Sequence, residues 1–187
     1  MKTKIKSLIL MAFFAFAGLN AQAQTSPSND PTDNYDQGFR LGFGLNGGYA
    51  FEDDLGLTLG ADVRLQYDFS KKTSITFTTG FTNLFVDGDM KDLGFIPVKA
   101  GFKGFIWEDQ FYLLGEIGGA IPVTNQDVYE DTSFGETSLI LSPGIGWVAS
   151  KYIDLSLRYE HYTNWEKANG DKGLGQIALR IAYGFKL

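Results

Sequence analysis

The sequence predicts an all-β fold, an eight-stranded antiparallel up-and-down transmembrane β-barrel. Three observations carry this. Apolar and polar residues alternate with period two in eight separate stretches, which places them on opposite faces of strands. The connections between these stretches alternate between short polar turns and longer polar loops, apart from a short first loop, the rhythm of an outer-membrane barrel. An export-type leader begins the chain and an apolar-aromatic strand runs to its last residue, where a soluble domain usually frays.

The leader comes first. Lys2, Lys4 and Lys6 precede an apolar run from Leu8 to Leu19, followed by Asn20-Ala21-Gln22-Ala23. A basic start, a short apolar core and a small-x-small site predict a signal peptide over 1–23 that is cut after Ala23. The run is shorter than the roughly 20 residues a spanning helix needs, and the competing reading is an uncut anchor. Removing 1–23 takes three lysines and no acids, moving the formal charge from −6 to −9. So acidic a chain argues against nucleic acid as a partner. There is no cysteine, hence no disulfide framework and no lipid-modified N-terminal cysteine. No other stretch is apolar enough for a membrane helix, so a membrane location requires a closed barrel. Residues 24–37 (QTSPSNDPTDNYDQ) are polar and read as a flexible periplasmic lead-in; the barrel is assigned to 38–187.

In the first strand, 38–51, Phe39, Leu41, Phe43, Leu45, Tyr49 and Phe51 share one face, and Arg40, Gly42, Gly44, Asn46 and Gly48 the other. The second, 55–69, sets Leu57, Leu59, Val63, Leu65, Tyr67 and Phe69 against Thr58, Asp62, Arg64, Gln66 and Asp68. The third, 73–86, sets Ile75, Phe77, Phe81 and Phe85 against Ser74, Thr76, Thr78 and Thr82. The fourth, 94–107, opposes Ile96, Val98, Ala100, Phe102 and Ile106 to Lys99, Gly101 and Lys103. The fifth, 111–123, opposes Phe111, Leu113, Ile117 and Ile121 to Tyr112, Glu116, Gly118 and Ala120. The sixth, 137–149, opposes Leu139, Leu141, Ile145 and Trp147 to Ser138, Ser142, Gly144 and Gly146. The last two, 152–165 and 174–187, alternate the same way. Turns at 70–72, 108–110 and 150–151 then lie with both termini on the periplasmic side, and loops at 87–93, 125–136 and 166–173 face out.

A soluble β-sandwich also alternates. The polar face decides against it. Arg40, Asp62, Arg64, Asp68, Lys99, Lys103, Glu116, Asp154, Arg158, Glu160 and Arg180 all fall on that face, with glycines between them. An eight-stranded barrel has a lumen that side chains just fill. Charges of both signs can pair inside it, offsetting a desolvation cost of several kcal/mol per ion, an order-of-magnitude figure. A plugged, non-conducting polar lumen follows. Aromatics near the strand ends, Tyr67, Phe69, Trp107, Trp147, Trp165, Tyr183 and Phe185 among them, suit headgroup depth.

ALRIAYGFKL (178–187) and FIPVKAGFKGFIWEDQFYLLGEIGGA (95–120) resemble the small outer-membrane β-barrel family, of OmpA-barrel or OmpX-like kind and Bacteroidetes type. The resemblance covers 38–187. It implies the outer membrane as location, outer-membrane lipid and lipopolysaccharide as surroundings, and recognition of the C-terminal strand by the barrel-assembly machinery. It departs from the family in ending on Leu187 and not on phenylalanine. The implied role is non-enzymatic, in envelope integrity or surface interaction, as a monomer without cofactor or metal.

One outward patch points elsewhere. By parity with Leu157 and Tyr159, His161 and Thr163 face away from the lumen. His161-Tyr162-Thr163-Asn164 resembles the H-x-S-N motif of PagL-type lipid A deacylases, barrels with a serine-histidine-glutamate site on the outer wall. The resemblance implies His161 as base, Thr163 in place of the serine nucleophile and Asn164 as oxyanion donor. The position matching the family's acid is Gly175, so the imidazole lacks the partner that fixes its tautomer. The rim reading of His161, Thr163, Asn164 and Trp165 is therefore preferred. The acidic stretch 125–136 has oxygen ligands of the right kind for calcium but no ligand-loop spacing, and reads as solvated. The glycines of LGFGLNGGYAF open no helix, which excludes a nucleotide fingerprint.

Overall fold

Strands whose two faces differ this sharply must bury one face against a partner, and closing the sheet on itself removes both unpaired edges. The computed structural model of the protein, which describes residues 38–51, 55–86, 92–107, 110–123, 137–166 and 172–187, shows that solution. The strands are β1 (Gly38–Ala50), β2 (Leu55–Ser70), β3 (Thr73–Val86), β4 (Leu93–Trp107), β5 (Phe111–Pro122), β6 (Ser138–Val148), β7 (Ile153–Glu166) and β8 (Lys172–Lys186). They form one closed barrel in sequence order, every neighbouring pair antiparallel. β8 closes on β1, from Arg40↔Lys186 to Ala50↔Gln176, and the amide of Leu187 donates to the carbonyl of Phe39 at 2.9 Å. The leader 1–23, the lead-in 24–37 and the loop segments 52–54, 87–91, 108–109, 124–136 and 167–171 lie outside the described residues.

The tight turns have a visible cause. Ser70 Oγ accepts from the Lys72 amide at 3.2 Å and sits 2.8 Å from Thr73 Oγ1, pinching the β2–β3 turn. Ser150 Oγ accepts from the amides of Tyr152 and Ile153 at 3.3 and 3.2 Å between β6 and β7. Serine hydroxyls replace the backbone acceptors that a turn lacks. Proline, which has no N–H to donate, interrupts the ladder without shifting it. On either side of Pro97 the β3–β4 register continues, Thr79↔Val98 and Thr82↔Phe95. On either side of Pro143 the β6–β7 register does likewise, Leu141↔His161 and Gly144↔Arg158.

The outward parity is apolar over the barrel wall: Phe43, Leu45, Phe77, Leu113, Ile117, Ile145 and Leu157 all face out. Aromatic pairs ring the end that carries the termini. Phe39–Tyr67, Tyr67–Phe69, Phe111–Trp147 and Tyr152–Tyr183 have centroids 4.8, 5.0, 6.1 and 5.5 Å apart. The side chains of Trp107 and Trp165 lie outside the described residues.

The lumen differs from the uniformly polar filling that the alternation suggests. At the loop end its side chains are apolar: Ala50, Leu84, Leu93, Phe95, Ala120, Ile140, Tyr162 and Leu174 form one buried cluster. Phe95 meets Tyr162 edge-on at 5.5 Å. Each occupies an inward position on its strand. The reason is geometric: the period of two says which way a residue points, while polarity inside follows depth along the barrel axis.

Candidate functional site

Two places carry chemistry, the lumen and the outward patch on β7. In the lumen, the register stacks inward residues of adjacent strands, so long side chains from opposite walls meet across the axis. Glu116 on β5 is the hub, its side chain fully enclosed. Arg64 Nη2 donates to its Oε1 at 2.7 Å, and Thr78 donates to the same oxygen at 3.2 Å. Arg158 Nη1 donates to Oε2 at 3.2 Å, and Lys99 Nζ lies 3.2 Å from that oxygen. Lys99 also bridges to Glu160 at 2.8 Å, and Glu160 accepts from Gln176 at 2.6 Å and Tyr162 at 3.0 Å.

From Arg158 the network continues downward. Its Nη2 donates to Asn46 at 2.6 Å, and Asn46 donates to Asp62 at 2.8 Å. Asp62 is forked by Arg180, whose Nε and Nη2 both donate to it, at 2.9 and 2.5 Å. Arg180 Nη1 lies 3.7 Å from Asp154. Asp154 in turn accepts from Lys103 at 2.8 Å and Tyr112 at 2.7 Å. Lower still, Arg40 donates to Asp68 at 2.6 Å, as do Gln66 and Ser74. Fork-to-carboxylate pairing is the strong form of such bonds.

The structure thus joins Asp62, Arg64, Lys99, Lys103, Glu116, Arg158, Glu160 and Arg180 in one network. It sets Arg40 apart, half-exposed at the mouth with Asp68. Sequence reasoning did not single out Asn46, Tyr112, Tyr162 and Gln176 as its connectors, although inward parity was a usable signal for all four. It also says little about β6, whose inward side supplies space and no charge. The ring of Tyr112 lies directly on Gly146, and a Cβ on Gly144 would meet Arg158 Cγ at 2.8 Å.

The outward patch is arranged otherwise. His161 pairs across β8 with Gly175 and across β6 with Leu141. Its imidazole stacks on Tyr159, centroids 6.4 Å apart, and leans over Gly173, where a Cβ would meet Cε1 at 3.0 Å. Gly173 has φ of +106°, so a side chain there is disfavoured on both counts. Among the described residues no carboxylate bonds to His161. The sequence-adjacent acid, Glu160, points inward and is engaged by Lys99, Gln176 and Tyr162. Thr163 shares the outward face, partly exposed; the Asn164 side chain lies outside the described residues. A base without its orienting acid lacks one part of a triad. Among the described residues no group of histidines and acids is placed to hold a metal, and no helix is long and apolar enough to cross a membrane.

No protein-family model and no curated protein matches the sequence. Solved structures do match the fold. The N-terminal β-barrel domain of Pseudomonas aeruginosa OprF has a TM-score of 0.55 at 10% identity, covering 80% of this chain and 100% of that one. Ail, the attachment invasion locus protein of Yersinia pestis, has a TM-score of 0.53 at 18% identity, covering 80% and 100%. A de novo designed transmembrane β-barrel has a TM-score of 0.51 at 16% identity, covering 81% and 99%. With its closure, its outward apolar wall and its internally paired lumen, the chain has the fold of the small eight-stranded outer-membrane β-barrels.

Proposed function

We propose that this chain is a non-enzymatic outer-membrane barrel serving envelope integrity or surface interaction. It is exported by the leader 1–23 and inserted through its C-terminal strand by the assembly machinery. It is a monomer seated among outer-membrane lipid and lipopolysaccharide, and its lumen is plugged rather than conducting. The observation that carries this reading is the lumen network, which ties side chains of seven strands together beneath an apolar layer. Such an interior suits rigidity and supports a non-conducting lumen. The apolar wall and the aromatic ring at the termini end support the membrane setting.

The test combines fractionation with lipid analysis. The expressed protein is expected in the outer-membrane fraction, migrating faster on a gel when unheated, and silent in planar bilayers. Lipid A from the same cells is expected to keep its acyl chains. Loss of an acyl chain that His161→Ala abolishes would replace this reading with an outer-wall acyl hydrolase.

A further inference from the structure

The termini end of the lumen is not filled. A cavity of about 300 Å³ opens there beneath the charged network. Arg64, Lys103 and Arg180 line its inner part, and Arg40, Lys71 and Lys151 its mouth. Two carboxylates, Asp68 and Asp154, share the lining, and both are already committed. Asp68 accepts from Arg40, Gln66 and Ser74, and Asp154 from Lys103 and Tyr112.

Two cationic donors at the mouth of this space have capacity left, and a third cation lies beneath them. Arg64 spends Nε on Thr78 and Nη2 on Glu116; its Nη1 has no hydrogen-bond partner among the described residues and is closed off from the cavity. Lys71 and Lys151 make no ion pair among the described residues, and Lys151 rests only over the Tyr152 ring, 5.5 Å from its centroid. An oxyanion supplies several acceptor atoms and the opposite charge together, the chemistry guanidinium and ammonium groups recognise.

We propose that this vestibule binds an oxyanion group, carboxylate or phosphate, received by Lys71 and Lys151 at its mouth, with the Arg64 and Arg180 guanidiniums adding positive charge beneath. Two sources offer that chemistry. One is a free anion of the compartment at this end. The other is the chain itself: residues 24–37 carry Asp30, Asp33 and Asp36 with no lysine or arginine, and join the barrel at Gly38 on this same rim.

The test titrates inorganic phosphate into the full mature chain, folded in a sugar-headgroup detergent, by calorimetry. Three forms are compared: the natural sequence, Lys71→Gln/Lys151→Gln, and Asp30→Asn/Asp33→Asn/Asp36→Asn. Both variants change residues outside the paired network, so unheated gel mobility is expected to stay that of a folded barrel. Saturable binding that the double lysine variant weakens tenfold or more supports the site. Several-fold tighter binding by the aspartate-to-asparagine form assigns the oxyanion to the lead-in, and unchanged binding assigns it to a free anion. No saturable binding by either the natural or the asparagine form overturns the proposal, as does binding indifferent to the two lysines; the cavity then holds water alone.

Discussion

Replacing Glu116 by glutamine removes the one carboxylate among the described residues that three cations share. The substitution keeps shape and volume, so its cost is electrostatic. In the folded barrel Arg64 lies 2.7 Å from Glu116, and Lys99 and Arg158 lie 3.2 Å away. At an effective dielectric of about 20, each such contact is worth roughly 5 kcal/mol of attraction before desolvation is counted. Desolvation of each ion, several kcal/mol, offsets most of this in the intact cluster. In the variant the desolvation remains and the attraction is gone. Glu160 alone then faces Lys99 and Arg158, at 2.8 and 3.7 Å, and Arg64 keeps Thr78 and a neutral amide oxygen in place of its counter-ion. Uncompensated buried charge of this kind costs about 3–5 kcal/mol. The assay is urea-dependent folding into lipid vesicles, with the folded fraction read from unheated gel mobility. Glu116→Gln is expected to lose stability in that range. Glu116→Gln/Arg64→Gln, which removes one cation as well, is expected to recover part of the loss, since coupled charges are not additive. A loss under about 1 kcal/mol, or a double variant as damaging as the two single losses summed, would refute the account of Glu116 as the hub.

Two other outcomes follow from the same geometry. Phe43 faces outward near mid-strand and Phe51 just beyond the loop end of β1. In the same folding assay Phe43→Arg is expected to cost about 2–4 kcal/mol and Phe51→Arg about 0–1; equal costs at both depths would contradict a membrane-seated wall. Gly44 faces the Arg180 guanidinium, where a Cβ would stand 2.7 Å from Nε. Because Asp62 holds that guanidinium, Gly44→Ala is expected to destabilise by about 1–3 kcal/mol, the usual cost of overpacking, whereas a neutral result would mean that Arg180 is free to move aside.

The eight strands and their facing were legible because a period of two survives in the sequence whatever the partner strand is. Strand limits shifted by no more than two residues. β8, read from 174, begins at Lys172, and β7, read from 152, begins at Ile153. Facing also sufficed to collect the charged residues of the lumen. It did not reveal that Leu84, Phe95, Ile140 and Tyr162 cap them, because these residues break the alternation of polarity while keeping its direction. The outward position of His161 was legible too, as was the glycine opposite it.

What the sequence by itself determined is local: where strands run, which way each side chain points, and that charges of both signs must share an interior. Only the closed barrel decided which charges meet. Arg180 and Asp62 are 118 residues apart, as Arg158 and Asn46 are 112, and no local pattern encodes such a pairing. It arises because closure sets the stagger of all eight strands at once, fixing the height of every inward residue. The same stagger puts the apolar layer at the loop end and leaves an open vestibule lined by arginine and lysine at the other.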